Sequence, residues 1–418
     1  MKAFVKWVSG GIHLVLTNQE KQMLSGDLGP GIAKALEIQL AIGEAFGAER
    51  MVEISRAHES FYASESCTWF LELFADLNAR CRVPTTCNPI FDDSYFERMG
   101  KPIPKEDLIY VRRTREARKR IGIIPNECCT PYLQDNVPAK GEIIAFSESN
   151  ATCYANSICG ARSHRESAIS ALAAAVTGRV PLYGLLLKEN RVGDTLIKVE
   201  AQLRDDFDYH LLGYTIGKEV GADIPIFTGM SSPPPSSEEL ISLGAELATS
   251  GMVSMYHLVG FTPEAPDLES ALGGKTPKKR VIVTDSMLRE TQTAMSHEGG
   301  KIDFVMLGCP HYTLNQIRDA ARLLEGKRIR RDVEFWILTS LTAKEQAKDL
   351  GYQGIINRAG GHIIAATCAD QTCWERLYKG KVGMTDSPKA AYYNFPRGIP
   401  FLLRRRSECV RAALKGGL

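Results

Sequence analysis

The stretch Asn126-Glu127-Cys128-Cys129-Thr130-Pro131-Tyr132 follows an apolar run, Ile121 to Pro125, that reads as a buried strand. Its cysteines therefore fall where a strand ends and a loop begins. The pattern recurs twice. Phe304 to Gly308 runs into Cys309-Pro310-His311, and Ile363 to Thr367 runs into Cys368. In open α/β sheets, ligands bind outside the carboxyl ends of the strands. Three thiols delivered to such edges can converge on one metal centre. A single free cysteine is more often a small buried hydrophobe. Three at matching strand ends shift the reading towards a site.

Outward from this stretch, the pattern is α/β. Thr17 and Glu20 form a capping box for a helix over 18–24 that stops at Gly26, and a second helix runs from Pro30 to Gly47. A strand over 51–55 leads into a polar loop, 56–60. A helix follows over 64–78, with Trp69, Leu73 and Leu77 on one face. Then come a strand over 81–85, a helix over 105–120 and the strand 121–125. Three loop tips, 56–60, 85–89 and 126–132, thus share one sheet edge. A strand over 143–147 opens into a polar segment, 147–157, read as a solvent loop or a ligand lining. The Ala-rich stretch 168–177 predicts a helix.

Strands are expected over 182–187 and 196–203, with a mixed Gly-rich region over 209–227. Pro233-Pro234-Pro235 marks a linker within 231–237. A helix over 238–248, a strand over 252–258 and a loop over 262–279 follow. From 281 strands and helices alternate, ending in strand 361–367, and this predicts a doubly wound sheet. The expected domains are 1–160, carrying Cys129; 161–235, ending in the linker; and 236–418, carrying Cys309 and Cys368.

A chain of 418 residues suits two or three domains. Its 44% hydrophobic and 24% charged residues match an ordinary soluble enzyme. A net charge of +2 gives no electrostatic case for nucleic acid. Arg404-Arg405-Arg406 reads as a solvated tail. Eleven cysteines, an odd number scattered through a long chain, point to reduced thiols in the cytoplasm. The basic-apolar opening, Lys2 to Leu16, is broken by Lys6, Gly10, Gly11 and His13 and does not read as a signal peptide. No apolar run is long enough to span a bilayer.

Soft thiolates suit iron–sulfur clusters and zinc, but the compact spacing of a structural zinc site is absent. Widely separated cysteines at strand ends suit a cluster held between domains. Only one of Cys128 and Cys129 need be a ligand; Cys153, Cys159 and Cys373 are rivals by proximity. Cys67, Cys81 and Cys409 read as packing or surface residues. Ser147, Ser149, Asn150, Asn156 and Ser157 form a lining of hydroxyls and amides. Arg162 and Arg165, just before a helix, suit a carboxylate or phosphate. Glu148 reads as a base or an arginine partner. His58 and His311, on loop tips, are either structural or proton carriers. No nucleophile elbow, P-loop or dinucleotide fingerprint occurs.

Several segments together resemble the large subunit of the aconitase X family. These are Leu16-Thr17 with Glu20, Leu24 and Gly26; Cys129-Thr130-Pro131-Tyr132; Ser147 to Ala151 with Tyr154 to Ser157, Gly160-Ala161-Arg162 and Arg165-Glu166; Leu307 to His311; and Thr385 to Lys389. The resemblance spans about residues 16–395, and its most specific parts are the Ala-Asn-Ser and Gly-Cys-Pro-His segments. It implies an aconitase-like α/β fold of several lobes around a central cleft. It also implies a hydro-lyase that dehydrates small hydroxy acids with an iron–sulfur cluster on Cys129, Cys309 and Cys368.

By the same resemblance, Ser387 would move the α-proton and Lys389 would assist anion binding. The swivelling domain that completes aconitases is expected on a separate small subunit. One branch of the family dehydrates cis-3-hydroxy-L-proline, which Ala57-His58 favours; another dehydrates mevalonate 5-phosphate, which Thr86 to Pro89 and Arg165-Glu166 favour. The first is the leading expectation. A non-catalytic iron–sulfur sensing or binding protein is the alternative outside enzymology.

Overall fold

The computed structural model describes residues 14–101, 103–230 and 233–417. Lys2 to His13 of the opening stretch, and Ser231 and Ser232 of the expected linker, lie outside the described residues. Three parallel sheets organise the chain, and a short antiparallel pair, Met51–Glu53 with Arg179–Pro181, forms a separate ribbon.

In the first sheet Ala57–Glu59 lies between Thr85–Cys87 and Ala145–Phe146. The segment expected as a polar loop is therefore the central strand. Its polar side chains are buried because each has a partner, the condition on which polar groups enter a core. Glu59 meets Arg118 of the helix Lys105–Ile121 at 2.6 Å and accepts the Phe61 amide. His58 lies between Thr86 and Asn88.

The expected strand 121–125 is also corrected. Ile121 ends the helix, Gly122 caps it in the left-handed region, and only Ile124 pairs, through a single bridge to Thr86. The helix Glu65–Asp76 buries Thr68, Leu71, Phe74 and Ala75, whereas Trp69 is 59% exposed. The apolar stripe thus runs one residue away from the expected one, against Lys105–Ile121. The polar segment 147–157 is a buried helix, Ser149–Ser157, with Glu148 as its cap.

The second sheet has the order His257–Leu258, Pro225–Thr228, Thr195–Val199, Lys279–Val283. Its strands come from both sides of Pro233–Pro235, so the expected division at 235 falls within this sheet. The mixed region over 209–227 contains most of a long helix, Asp206–Val220. Its glycines are not breakers. They let it cross the helix Ser237–Gly251 closely: a Cβ on Gly213 would lie 2.5 Å from the Leu243 carbonyl oxygen, and one on Gly217 2.1 Å from Ser250 Oγ. The expected strand 182–187 is instead a single 3-10 turn, Gly184–Leu186, and of 252–258 only His257–Leu258 pairs.

The third sheet has the order His362–Ala365, Glu334–Thr339, Phe304–Tyr312, Gly383–Thr385, Phe401–Leu403. The chain runs outward in one direction from Phe304–Tyr312 and in the other from Gly383–Thr385, a doubly wound topology whose switch point lies between them. The first sheet has the same reversal, between Ala57–Glu59 and Ala145–Phe146. A bridge from Ile90 to Thr367 joins the first and third lobes. Arg405 and Arg406 are not a solvated tail. They pair with Asp205, Asp208 and Asp206, tying the third lobe to the second.

Candidate active site

The carboxyl ends of the first and third sheets face one cavity of about 210 Å³. Ser60 and Tyr62 follow one first-sheet strand, Asn88 the next, and Ser147, Glu148 and Ser149 the third. Cys309 and Pro310 come from the central strand of the third sheet. Cys368 and Asp370 follow its edge strand, and Lys389 and Tyr393 follow Gly383–Thr385. Cys129, beyond the Ile124 bridge, completes the wall. Both switch points therefore supply lining residues, as the topology dictates.

Cys309 reaches the cavity through a break in its strand. The register with Glu334–Thr339 shifts between Leu307 and Tyr312. Gly308 holds φ +100°, and a Cβ there would lie 2.1 Å from the Leu338 carbonyl oxygen. Only glycine fits that turn.

Cys129, Cys309 and Cys368 are free thiols on the cavity wall. Cys129 Sγ accepts the His311 backbone N–H at 3.3 Å, and Cys368 Sγ accepts that of Asp370 at 3.4 Å. Burial pushes Cys129 and Cys309 well above the ordinary thiol value and Cys368 to about 12. Such thiols give up their protons to a metal, which replaces the charge. Among the described residues no three His, Cys, Asp or Glu side chains converge closely enough to hold a single ion. Three thiols on one wall are soft donors of the kind that suits an iron–sulfur cluster. Cys128 does not line this cavity; its sulfur hydrogen-bonds with Thr130, away from the wall. Cys153, Cys159 and Cys373 do not line it either.

Opposite in character is the pair Lys389–Glu148. Lys389 Nζ donates to Glu148 Oε1 and Ser149 Oγ, each at 3.1 Å. Burial alone would raise the Glu148 carboxyl. The Lys389 ammonium and the Ala151 amide outweigh it and hold the group below the ordinary carboxylate value. Ser147 Oγ donates to the His58 carbonyl at 3.0 Å and shares a hydrogen bond of 2.9 Å with the Ser60 hydroxyl. Tyr62 donates to Asp370, which Arg397 also holds at 2.8 Å.

Of the residues singled out in the sequence, Cys129, Cys309, Cys368, Ser147, Glu148, Ser149 and Lys389 meet at the cavity. The others stand behind it or away from it. His58 is fully buried, and burial lowers it to about 4, so it is neutral near pH 7. Its Nε2–H donates to Asn88 Oδ1 at 2.9 Å, which orients that lining amide. Ser387 caps the helix Pro388–Asn394 and donates to Glu246. Asn150 donates to the Tyr132 hydroxyl, Asn156 bonds the Ser163 and Ser254 carbonyls, and Ser157 accepts the Tyr256 amide. Arg162 and Arg165 bond the carbonyls of Leu186 and Ala248. His311 lies between Cys129 and the Thr367 carbonyl.

Ser60, Tyr62, Asn88, Asp370 and Tyr393 are lining residues that sequence reasoning missed. Ser60 and Asn88 had a signal, their places on the loop tips 56–60 and 85–89.

Parallel α/β lobes that share one thiol-lined cavity at their switch points make an aconitase-like architecture. The chain belongs to the aconitase X family: models of the first, second and third domains of aconitase X match residues 13–189, 193–293 and 302–415. It is 34% identical over 386 residues to the phosphomevalonate dehydratase large subunit of Thermococcus kodakarensis, covering 91% of this chain and 95% of that protein. It is likewise 34% identical over 414 residues to the cis-3-hydroxy-L-proline dehydratase of Pseudomonas aeruginosa, covering 95% of this chain and 69% of that protein. A crystal structure of Thermococcus kodakaraensis aconitase X in its holo-form is similar with a TM-score of 0.85 and 33% identity, over 96% of this chain and 100% of that one. Dehydratases of both kinds are hydro-lyases, and the chain is a carbon–oxygen lyase. No helix among the described residues is long and apolar enough to cross a membrane.

Proposed function

We propose that this hydro-lyase dehydrates cis-3-hydroxy-L-proline with an iron–sulfur cluster held by Cys129, Cys309 and Cys368. The reading is carried by the three thiols sharing one cavity with the Lys389–Glu148 pair. When bound, the cluster supplies a Lewis-acid iron that polarises the departing hydroxyl.

The chain's own residues do the rest. Lys389 anchors the substrate carboxylate. Glu148, kept ionised by the lysine, takes the Cα proton as general base. The freed electron pair forms the double bond, the departing hydroxide takes a proton from solvent and leaves as water, and Glu148 returns the Cα proton to solvent. Asn88, Ser147 and Ser149 orient the polar groups around the reacting carbons. Asp370, with Tyr62, faces the ring ammonium.

The charged lining supports this substrate. One ammonium, Lys389, stands with two carboxylates, Glu148 and Asp370. That set matches a zwitterionic amino acid better than a phosphorylated hydroxy acid, which calls for a surplus of cations. Mevalonate 5-phosphate remains the second reading, favoured by the relatives named phosphomevalonate dehydratase large subunit. The same names support a small partner subunit, whose side chains would add to the cavity.

The test is anaerobic purification with the partner, iron and sulfide analysis, and an ultraviolet assay of double-bond formation on both substrates. Iron with turnover of cis-3-hydroxy-L-proline is the expected result. Turnover of mevalonate 5-phosphate alone would replace the substrate, and absence of iron would remove the cluster.

A further inference from the structure

None of the cavity's lining residues comes from the middle lobe, among the described residues. That lobe nevertheless reaches the cavity's cation through one side chain. Glu246, on the helix Ser237–Gly251, is fully buried. Its Oε1 accepts Nδ1–H of His210 at 2.9 Å, the backbone N–H of Lys389 at 3.0 Å and the Ser387 hydroxyl at 3.4 Å. Three donors thus meet this one buried oxygen, while Oε2 has no hydrogen-bond partner among the described residues.

The local sequence makes this meeting possible. His210 lies three residues before Gly213, on the same face of its helix. A Cβ on Gly213 would lie 2.9 Å from the Glu246 Cβ, so the glycine lets the two helices close until imidazole and carboxylate touch. Burial works against a charged His210. The Glu246 carboxylate, with Asp386 and Asp206 beyond it, outweighs that and raises its pKa.

We propose that Glu246 is a positioning residue for Lys389: it clamps the turn Ser387–Lys389 from the middle lobe and so aims the lysine ammonium at Glu148, Ser149 and the substrate. The chain of contacts is continuous. His210 holds Glu246, Glu246 holds the Lys389 backbone, and the lysine side chain crosses to the first lobe. A flexible four-carbon side chain is well placed only if its backbone is fixed, since its own rotamers are soft. The inference rests on reading Lys389 as the anchor of the substrate carboxylate.

The test uses the full chain with Glu246→Ala and the milder Glu246→Gln, which keeps an acceptor for the Lys389 amide. Hydrogen–deuterium exchange of peptides over 385–395 reads the clamp without any substrate. In Glu246→Ala these amides should exchange about tenfold faster or more, while the core of the third sheet keeps its protection. Glu246→Gln should lie between that variant and the unaltered chain. In turnover, Glu246→Ala should raise KM by about tenfold or more, and adding it to Lys389→Ala should change kcat/KM by less than about twofold. Loss of protection throughout the chain, or multiplicative losses in the double variant, would overturn the proposal. The exchange result stands or falls independently of which hydroxy acid is turned over.

Discussion

The Lys389 ammonium lies 3.1 Å from Glu148 Oε1, and the two residues are 241 positions apart in the chain. Their side chains are 10% and 7% exposed, so the pair is buried rather than decorative. Removing one member strands the other in a medium that penalises it. Lys389→Met is therefore expected to destabilise the protein by about 3–5 kcal/mol and to lower kcat/KM by about a hundredfold while leaving measurable turnover. Urea unfolding of the two proteins side by side measures the first part. An unchanged midpoint would show that the pair contributes no net stability.

The wall of thiols makes a sorting prediction. Cys129→Ala, Cys309→Ala and Cys368→Ala are each expected to purify with most of their iron and sulfide lost. Cys128→Ala, whose sulfur bonds to Thr130 away from the cavity, is expected to keep both. Anaerobic metal analysis of the four variants reads this directly. Equal iron in Cys129→Ala and Cys128→Ala would contradict the ligand set.

Gly308 permits the break that turns Cys309 into the cavity. An alanine there meets the Leu338 carbonyl at 2.1 Å and a strained φ of +100°. Both backbones belong to the core of the third sheet, so little can yield. Gly308→Ala should cost about 1–3 kcal/mol and deplete iron although every thiol remains. Normal iron content with normal stability would mean that the strand tolerates a wider register shift.

Glu166 offers a pH signature remote from the thiols. Burial raises its carboxyl from 4.5 to about 7, against a smaller opposing effect of the Ser170 hydrogen bond. Between these values the folded chain holds a proton that the unfolded chain has released. Raising the pH through this window therefore destabilises the fold, by about 3 kcal/mol in all, and the loss is complete above about 7. Glu166→Gln lacks this proton. Its stability relative to the unaltered chain should thus be about 3 kcal/mol greater at pH ~8 than at pH ~5. A difference independent of pH would place the Glu166 pKa near its ordinary value.

Local physics made parts of this molecule legible. Thr17 and Glu20 form the expected capping box, and Ala168–Thr177 is the expected helix, because both depend on neighbours in the chain. The strand Ala57–Glu59 was hidden for the opposite reason. Its polar residues look solvated until Arg118, Thr86 and Asn88 arrive from elsewhere to satisfy them. Gly213 and Gly217 made 209–227 read as mixed, because the helix that needs their missing side chains lies beyond the proline run. The cavity thiols were legible from the run of apolar residues before each, although only Cys368 follows a strand, Cys309 sitting at a break inside one and Cys129 beyond a single bridge. Tyr62, Asp370 and Tyr393 were not, since their place in the site comes from lobes meeting in space.

The cavity's lining runs along the chain from Ser60 to Tyr393. A polypeptide leaving the ribosome therefore exposes Ser60, Asn88, Cys129 and Glu148 long before Cys309, Cys368 and Lys389 exist. Domains fold in order during synthesis, so the first lobe waits with one thiol and an unpaired glutamate. Loading of any metal centre on the three thiols is thus confined to chains translated past Cys368, and products terminated before it carry no complete set of thiols.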